Sequence, residues 1–194
     1  MKHPLSIPLL LFALSALSVA QAFHWNWRHT ETAKSTIAKN NEISAMERVL
    51  LLDGIAKEFK SDPQARERAA ATRIKVVDLN GDGVPEIIVQ AVGDDVCSPT
   101  GNCPFWLFQR TASGYRLILK RGAIQSFTIQ PTRTTGYFDL VLGMHGSATE
   151  QGLYVYQFSH EQYRRVACYD ATWTYMDKNN EAHDLKEPRI SQCR

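Results

Sequence analysis

The stretch Val76–Gln90, VVDLNGDGVPEIIVQ, decides the reading of this chain. It sets Asp78, Asn80, Asp82, Gly83 and Glu86 in one loop between two β-like runs. The second run, Ile87-Ile88-Val89, is β-branched and reads as a buried strand. Oxygen-bearing side chains at alternate positions, then a glycine, then a carboxylate, form a pattern that suits a hard divalent cation. Ca2+ takes about 6–8 oxygens at roughly 2.3–2.6 Å, so a short loop must curl tightly to present them to one point. Gly83 supplies the backbone freedom for that curl. An EF-hand needs a bidentate Glu at about the twelfth loop position. Counted from Asp78 that position is Val89, so an EF-hand is excluded. The competing reading is a plain turn over Asn80-Gly81-Asp82-Gly83 with solvated acids.

The pattern Asp78-x-Asn80-x-Asp82-Gly83-x-x-Glu86, followed by a hydrophobic strand, resembles the FG-GAP and VCBS repeats, which form β-propeller blades in integrins and many secreted bacterial proteins. The resemblance is close over Val76–Gln90 and loose over the β runs that follow; the family has Asp where this chain has Glu86. It implies Ca2+ held by Asp78, Asn80, Asp82, Glu86 and the main-chain carbonyl of Val84, in a non-enzymatic module that often binds a partner. A propeller takes about 4–8 blades, more than this chain supplies.

Compartment is legible at the N-terminus. Lys2, the uncharged apolar run Leu5–Ala20 and the small-x-small site Ala20-Gln21-Ala22 read as a cleaved signal peptide over residues 1–22. The run is short for a membrane span, and no later run is long enough for one, so no span is expected after cleavage. Losing Lys2 lowers the formal charge from +2 to +1, which argues against nucleic acid or a polybasic membrane contact. Cys97, Cys103, Cys168 and Cys193 all follow the cleavage site, and an even count in an exported chain suggests two disulfides. Of the possible pairings, Cys97–Cys103, closing the tight loop CSPTGNC, and Cys168–Cys193, pinning the tail, are favoured. Zinc is the weaker alternative, because the spacings lack paired C-x-x-C ligands. The expected location is periplasmic or secreted.

The chain also repeats itself. Aligning Glu86-Ile-Ile-Val with Asp139-Leu-Val-Leu brings Gly83 onto Gly136 and Gly93 onto Gly146. Further on, Trp106-Leu-Phe-Gln matches Tyr154-Val-Tyr-Gln, and Tyr115-Arg116 matches Tyr163-Arg164. Chance likeness of two β-meanders is the competing reading. In the second copy Asp78, Asn80 and Asp82 become Pro131, Arg133 and Thr135, so the ion ligands are lost and Arg133 is expected to pair with Asp139 in the ion's place. The expected fold is mainly β with an N-terminal helix: two four-stranded antiparallel blade-like meanders packed as one compact domain. Residues 23–40 form a tail, 41–59 a helix, about 72–120 the first β repeat, about 124–168 the second and about 171–194 a C-terminal hairpin. A short helix is expected after the first, over 64–71.

Enzyme signals in the sequence are thin. His145, in Gly-Met-His-Gly-Ser, is not a nucleophile elbow. No H-E-x-x-H and no phosphate loop occurs. The aromatics Phe105, Trp106 and Phe108 read first as blade core; the sharper reading makes Trp106, with His145, part of a partner-binding edge where loops 94–103 and 145–151 meet. The expectation is a calcium-binding structural or binding module whose partner is a protein or glycan of the cell envelope. The alternative is an immunity-type inhibitor of a cell-envelope hydrolase.

Overall fold

The computed structural model describes residues 43, 51–55 and 72–193. The expected leader 1–22, the tail 23–40, the short helix over 64–71 and most of the helix 41–59 lie outside these residues. Within them, 51–55 are α-helical.

Nine strands follow. The first sheet is β1 (Thr72–Val77), β2 (Glu86–Ala91), β3 (Cys103–Thr111) and β4 (Gly114–Ile124), each antiparallel to the next. The second is β5 (Ser126–Thr134), β6 (Tyr137–His145), β7 (Glu150–Ser159), β8 (Gln162–Met176) and β9 (Ala182–Gln192), in the same sequential order. The second sheet therefore has five strands where four were expected. The hairpin near the C-terminus is not separate: β8 runs unbroken from the pairing with β7 into the pairing with β9.

Side-chain alternation explains the layering. On β2, Ile88 faces a core built from both sheets with Val77, Phe105, Leu107, Leu140 and Leu142. Its neighbours Ile87 and Val89 face the other way and pack with Leu51, Ile55, Val76 and Trp106. The first sheet is thus buried on both faces, by the second sheet and by the helical residues. That is why its central strand reads as an unbroken apolar run.

The hairpin turns set the register. The β5–β6 turn places Thr135 (φ 48°) and Gly136 (φ 88°) in the left-handed region. The β7–β8 turn does the same with His160 (φ 49°) and Glu161 (φ 64°). Two consecutive positive φ values give the twist that matches right-twisted strands.

Disulfides join Cys97 to Cys103 and Cys168 to Cys193, as the spacing favoured.

Candidate functional site

The loop between β1 and β2 is curled by its own side chains. Asp78 accepts from the amides of Gly81 (2.6 Å) and Gly83 (3.0 Å). Asn80 Oδ1 accepts from the amide of Asp82 at 2.9 Å, and Asp82 Oδ1 from that of Val84 at 2.7 Å. These are Asx turns, in which a short polar side chain closes a ring onto a nearby amide. Gly81 and Gly83, at φ 81° and 83°, take the left-handed conformations the curl requires.

The loop is also a joint between the sheets, which the sequence did not reveal. The amide of Phe138 donates to the Leu79 carbonyl at 2.8 Å. Asn80 Nδ2 donates to the Tyr137 hydroxyl at 3.0 Å, and so does Gln109 Nε2 at 2.6 Å. Leu79 is fully buried in the core shared by both sheets.

Arg133 completes the joint, and its place corrects one expectation. It does not pair with Asp139. Its Nη1 donates to the carbonyls of Asn80 (3.0 Å) and Gly136 (2.8 Å), and its guanidinium lies 3.7 Å from the centre of the Phe138 ring. Asp139 instead accepts from Thr132 Oγ1 and Gln157 Nε2. The reason is local: β5 carries two residues more than β6 between Ile129 and Arg133. This irregular stretch puts the Thr132 hydroxyl on Asp139, while Arg133 reaches across to the neighbouring loop.

Glu86 opens β2 and is 1 % exposed. Its Oε2 accepts from the Leu79 amide at 2.8 Å. Burial pushes its pKa up to about 7, opposed by the amides of Leu79 and Glu86 and reinforced by the charges of Asp82 and Asp78.

The donor types fit a hard cation. Three carboxylates and an amide oxygen stand on one curled loop, and each carboxylate has about four lone-pair positions, so accepting one or two amide protons leaves some open. Val84, whose carbonyl the resemblance adds, is exposed beside them. Asp78, Asp82 and Glu86 are nevertheless not drawn together. Among the described residues, the group whose ligand atoms all lie within 4.8 Å of one another is Asp177, Glu181 and His183, at the β8–β9 turn. There Asp177 takes the amides of Asn179 and Glu181 and lies 3.2 Å from His183 Nε2. The Glu181 amide is the main cause holding the Asp177 carboxyl below its ordinary range. In the sequence these residues show only the pattern of a hairpin turn, with no ligand spacing to mark them.

The two partner-surface residues part company. Trp106 is 2 % exposed, held among Leu51, Ile55, Val76 and Val89, and offers a partner no open ring face. Its place in the alternating pattern of β3 turns it toward the helical residues, as the core reading had it. His145 ends β6 and ties the disulfide loop down. Its amide donates to Asn102 Oδ1 at 2.7 Å, Asn102 Nδ2 donates to its carbonyl at 2.8 Å, and its Nδ1 lies 3.1 Å from the Thr100 carbonyl. Loop 94–103 and the end of β6 do meet, through main-chain anchoring rather than an exposed imidazole.

No protein-family model matches this chain, and neither a curated protein nor a solved structure matches it. Among the described residues, no helix is long and apolar enough to cross a membrane.

Proposed function

We propose that this chain is an exported, β-rich structural or binding module that takes Ca2+ in the Asp78–Glu86 loop and carries no catalytic site. The observation behind this reading is the loop itself. Four oxygen-bearing side chains are curled by internal amide bonds around a joint between the sheets, and the acid closing the loop is buried, which pushes its pKa up. A cation there offsets the burial of Glu86 and ties Asp78, Asn80 and Asp82 to the same point, so its binding energy stiffens the joint. The blade-like reading draws support from two sheets sharing one sequential strand order. Export draws support from two disulfides, which persist in oxidising compartments. The edge formed by loops 94–103 and 145–151 is the surface for a cell-envelope protein or glycan, because a disulfide-closed loop loses little entropy on binding.

The test is thermal unfolding of the oxidised protein with Ca2+ and with chelator, beside Asp82→Ala. The expected result is a midpoint raised by several degrees in Ca2+, with the variant unresponsive. Binding at a hundred times the dissociation constant adds about 2.7 kcal/mol, enough for a shift of that size. No response in either protein leaves the loop a turn and moves the hydrolase-inhibitor reading to the front.

A further inference from the structure

The second unassigned feature lies on the seam between the sheets. β4 is the last strand of the first sheet, and β8 pairs with β9 only from Tyr169 onward. Among the described residues, the first half of β8 therefore pairs with β7 alone and turns its other edge toward β4. Between the two edges is a cleft of about 450 Å3, lined by Lys120, Arg121, Tyr156, Gln162, Tyr163 and Arg165 beside apolar residues of β4. Among the described residues that line it there is no carboxylate.

Two of the cations in this cleft are placed by aromatic rings. The guanidinium groups of Arg121 and Arg165 lie over the same ring, that of Tyr154, at 5.6 and 5.7 Å from its centre. Arg121 also lies 6.0 Å from the centre of the Tyr156 ring. Tyr154 and Tyr156 share one side of β7 because side chains alternate along a strand, and Arg165 stands opposite Tyr156 on β8. An aromatic face holds a guanidinium by its flat side and leaves its N–H edge to reach an oxygen. Two like charges on one ring repel each other, and an anion between them removes that repulsion.

The deciding observation is independent of the charges. Tyr156 is 3 % exposed and lines the cleft, and among the described residues neither its hydroxyl nor the Arg121 Nε–H has a hydrogen-bond partner. Buried donors left without acceptors are costly and rare. Both groups call for an acceptor. We propose that the β4–β8 cleft binds a small, multiply charged oxyanion, bearing phosphate or clustered carboxylate groups, whose oxygens accept from Tyr156, Arg121 and Arg165. The assignment does not rest on the calcium reading.

Titration calorimetry on the full oxidised chain in calcium-free, low-salt buffer tests it, with pyrophosphate as the phosphate probe and citrate as the carboxylate probe. One saturable site for either probe is expected, and the tighter probe identifies the source chemistry. Arg121→Gln and Arg165→Gln should each weaken it about tenfold or more. Tyr156→Phe, which keeps the ring and removes the hydroxyl, should weaken it several-fold. Arg189→Gln, an equal charge loss on β9 outside the cleft, should leave it unchanged. Absence of saturable binding by both probes overturns the site, leaving the orphan donors to water. Equal weakening by Arg189→Gln also overturns it, by showing only diffuse attraction to a basic surface.

Discussion

Glu86 carries the sharpest consequence at the scale of a single residue. Its ordinary value is 4.5 and burial raises it to about 7 in the fold. Between these values the folded chain binds more protons than the unfolded one, so stability is full below about 4.5 and falls as pH rises to about 7. The loss is at most roughly 3–4 kcal/mol, from about 1.4 kcal/mol per pKa unit. In chelator, Glu86→Gln should abolish this slope and be the more stable protein at alkaline pH, while losing the calcium response; urea unfolding at acidic and alkaline pH reads both. A wild-type slope retained in Glu86→Gln would assign the pH dependence to another group. Arg133 gives a second residue-level prediction. Arg133→Ala deletes the bonds to Asn80 and Gly136 and the contact with Phe138, and should cost about 1–3 kcal/mol. It should also strengthen calcium binding, because a fixed cation leaves the rim of the loop. Weaker calcium binding in this variant would mean that Arg133 shapes the loop more than it repels the ion.

At the scale of elements, β9 is the strand with least to hold it. All its residues are exposed or half-buried, and among the described residues it pairs only with β8. Its anchor is Cys193, bonded to Cys168 and donating its amide to the Cys168 carbonyl at 3.2 Å. Replacing both cysteines with Ser should leave the main unfolding transition within a few degrees of its place. Amide exchange in β9 should rise about tenfold or more, since strands with few buried contacts open locally first. Unchanged protection would show that the ladder and the stacking of Tyr175 on His183 suffice. The Cys97–Cys103 loop differs, because Asn102, itself buried, is bonded to His145 at both ends of its amide.

For the whole molecule, the shared core sets cooperativity. Val77, Leu79, Ile88 and Leu107 of the first sheet and its loops pack in one cluster with Leu140, Leu142, Tyr156 and Tyr163 of the second. Tyr137 stacks on Phe158 at 3.8 Å between ring centres and meets Tyr163 edge-on, beneath the joint loop. Neither sheet can bury its inner face without the other. Unfolding followed by far-UV and near-UV circular dichroism should therefore give one coincident transition. Two separated transitions would mean that each sheet carries enough core of its own.

The amino-acid sequence by itself determined the β character and the loop of alternating oxygen side chains, and its cysteine spacing favoured the pairs that form. These depend on neighbours in the chain: β-branched runs, glycines where φ must be positive, and Cys97 close enough to Cys103 to close a tight loop. Tertiary structure decided what could not be local. Arg133 was free, as sequence, to pair with Asp139; the extra residues in β5 turn it onto Asn80 instead. The same loop that reads as an ion site became a joint because Leu79, Asn80, Tyr137 and Phe138 meet only when the sheets pack. The fifth strand followed from β8 running on past the end of the second repeat. The basic cleft follows from two strand edges that no periodicity places side by side. Register and edge contacts depend on the packing of whole sheets, and a linear pattern of residues does not carry that information.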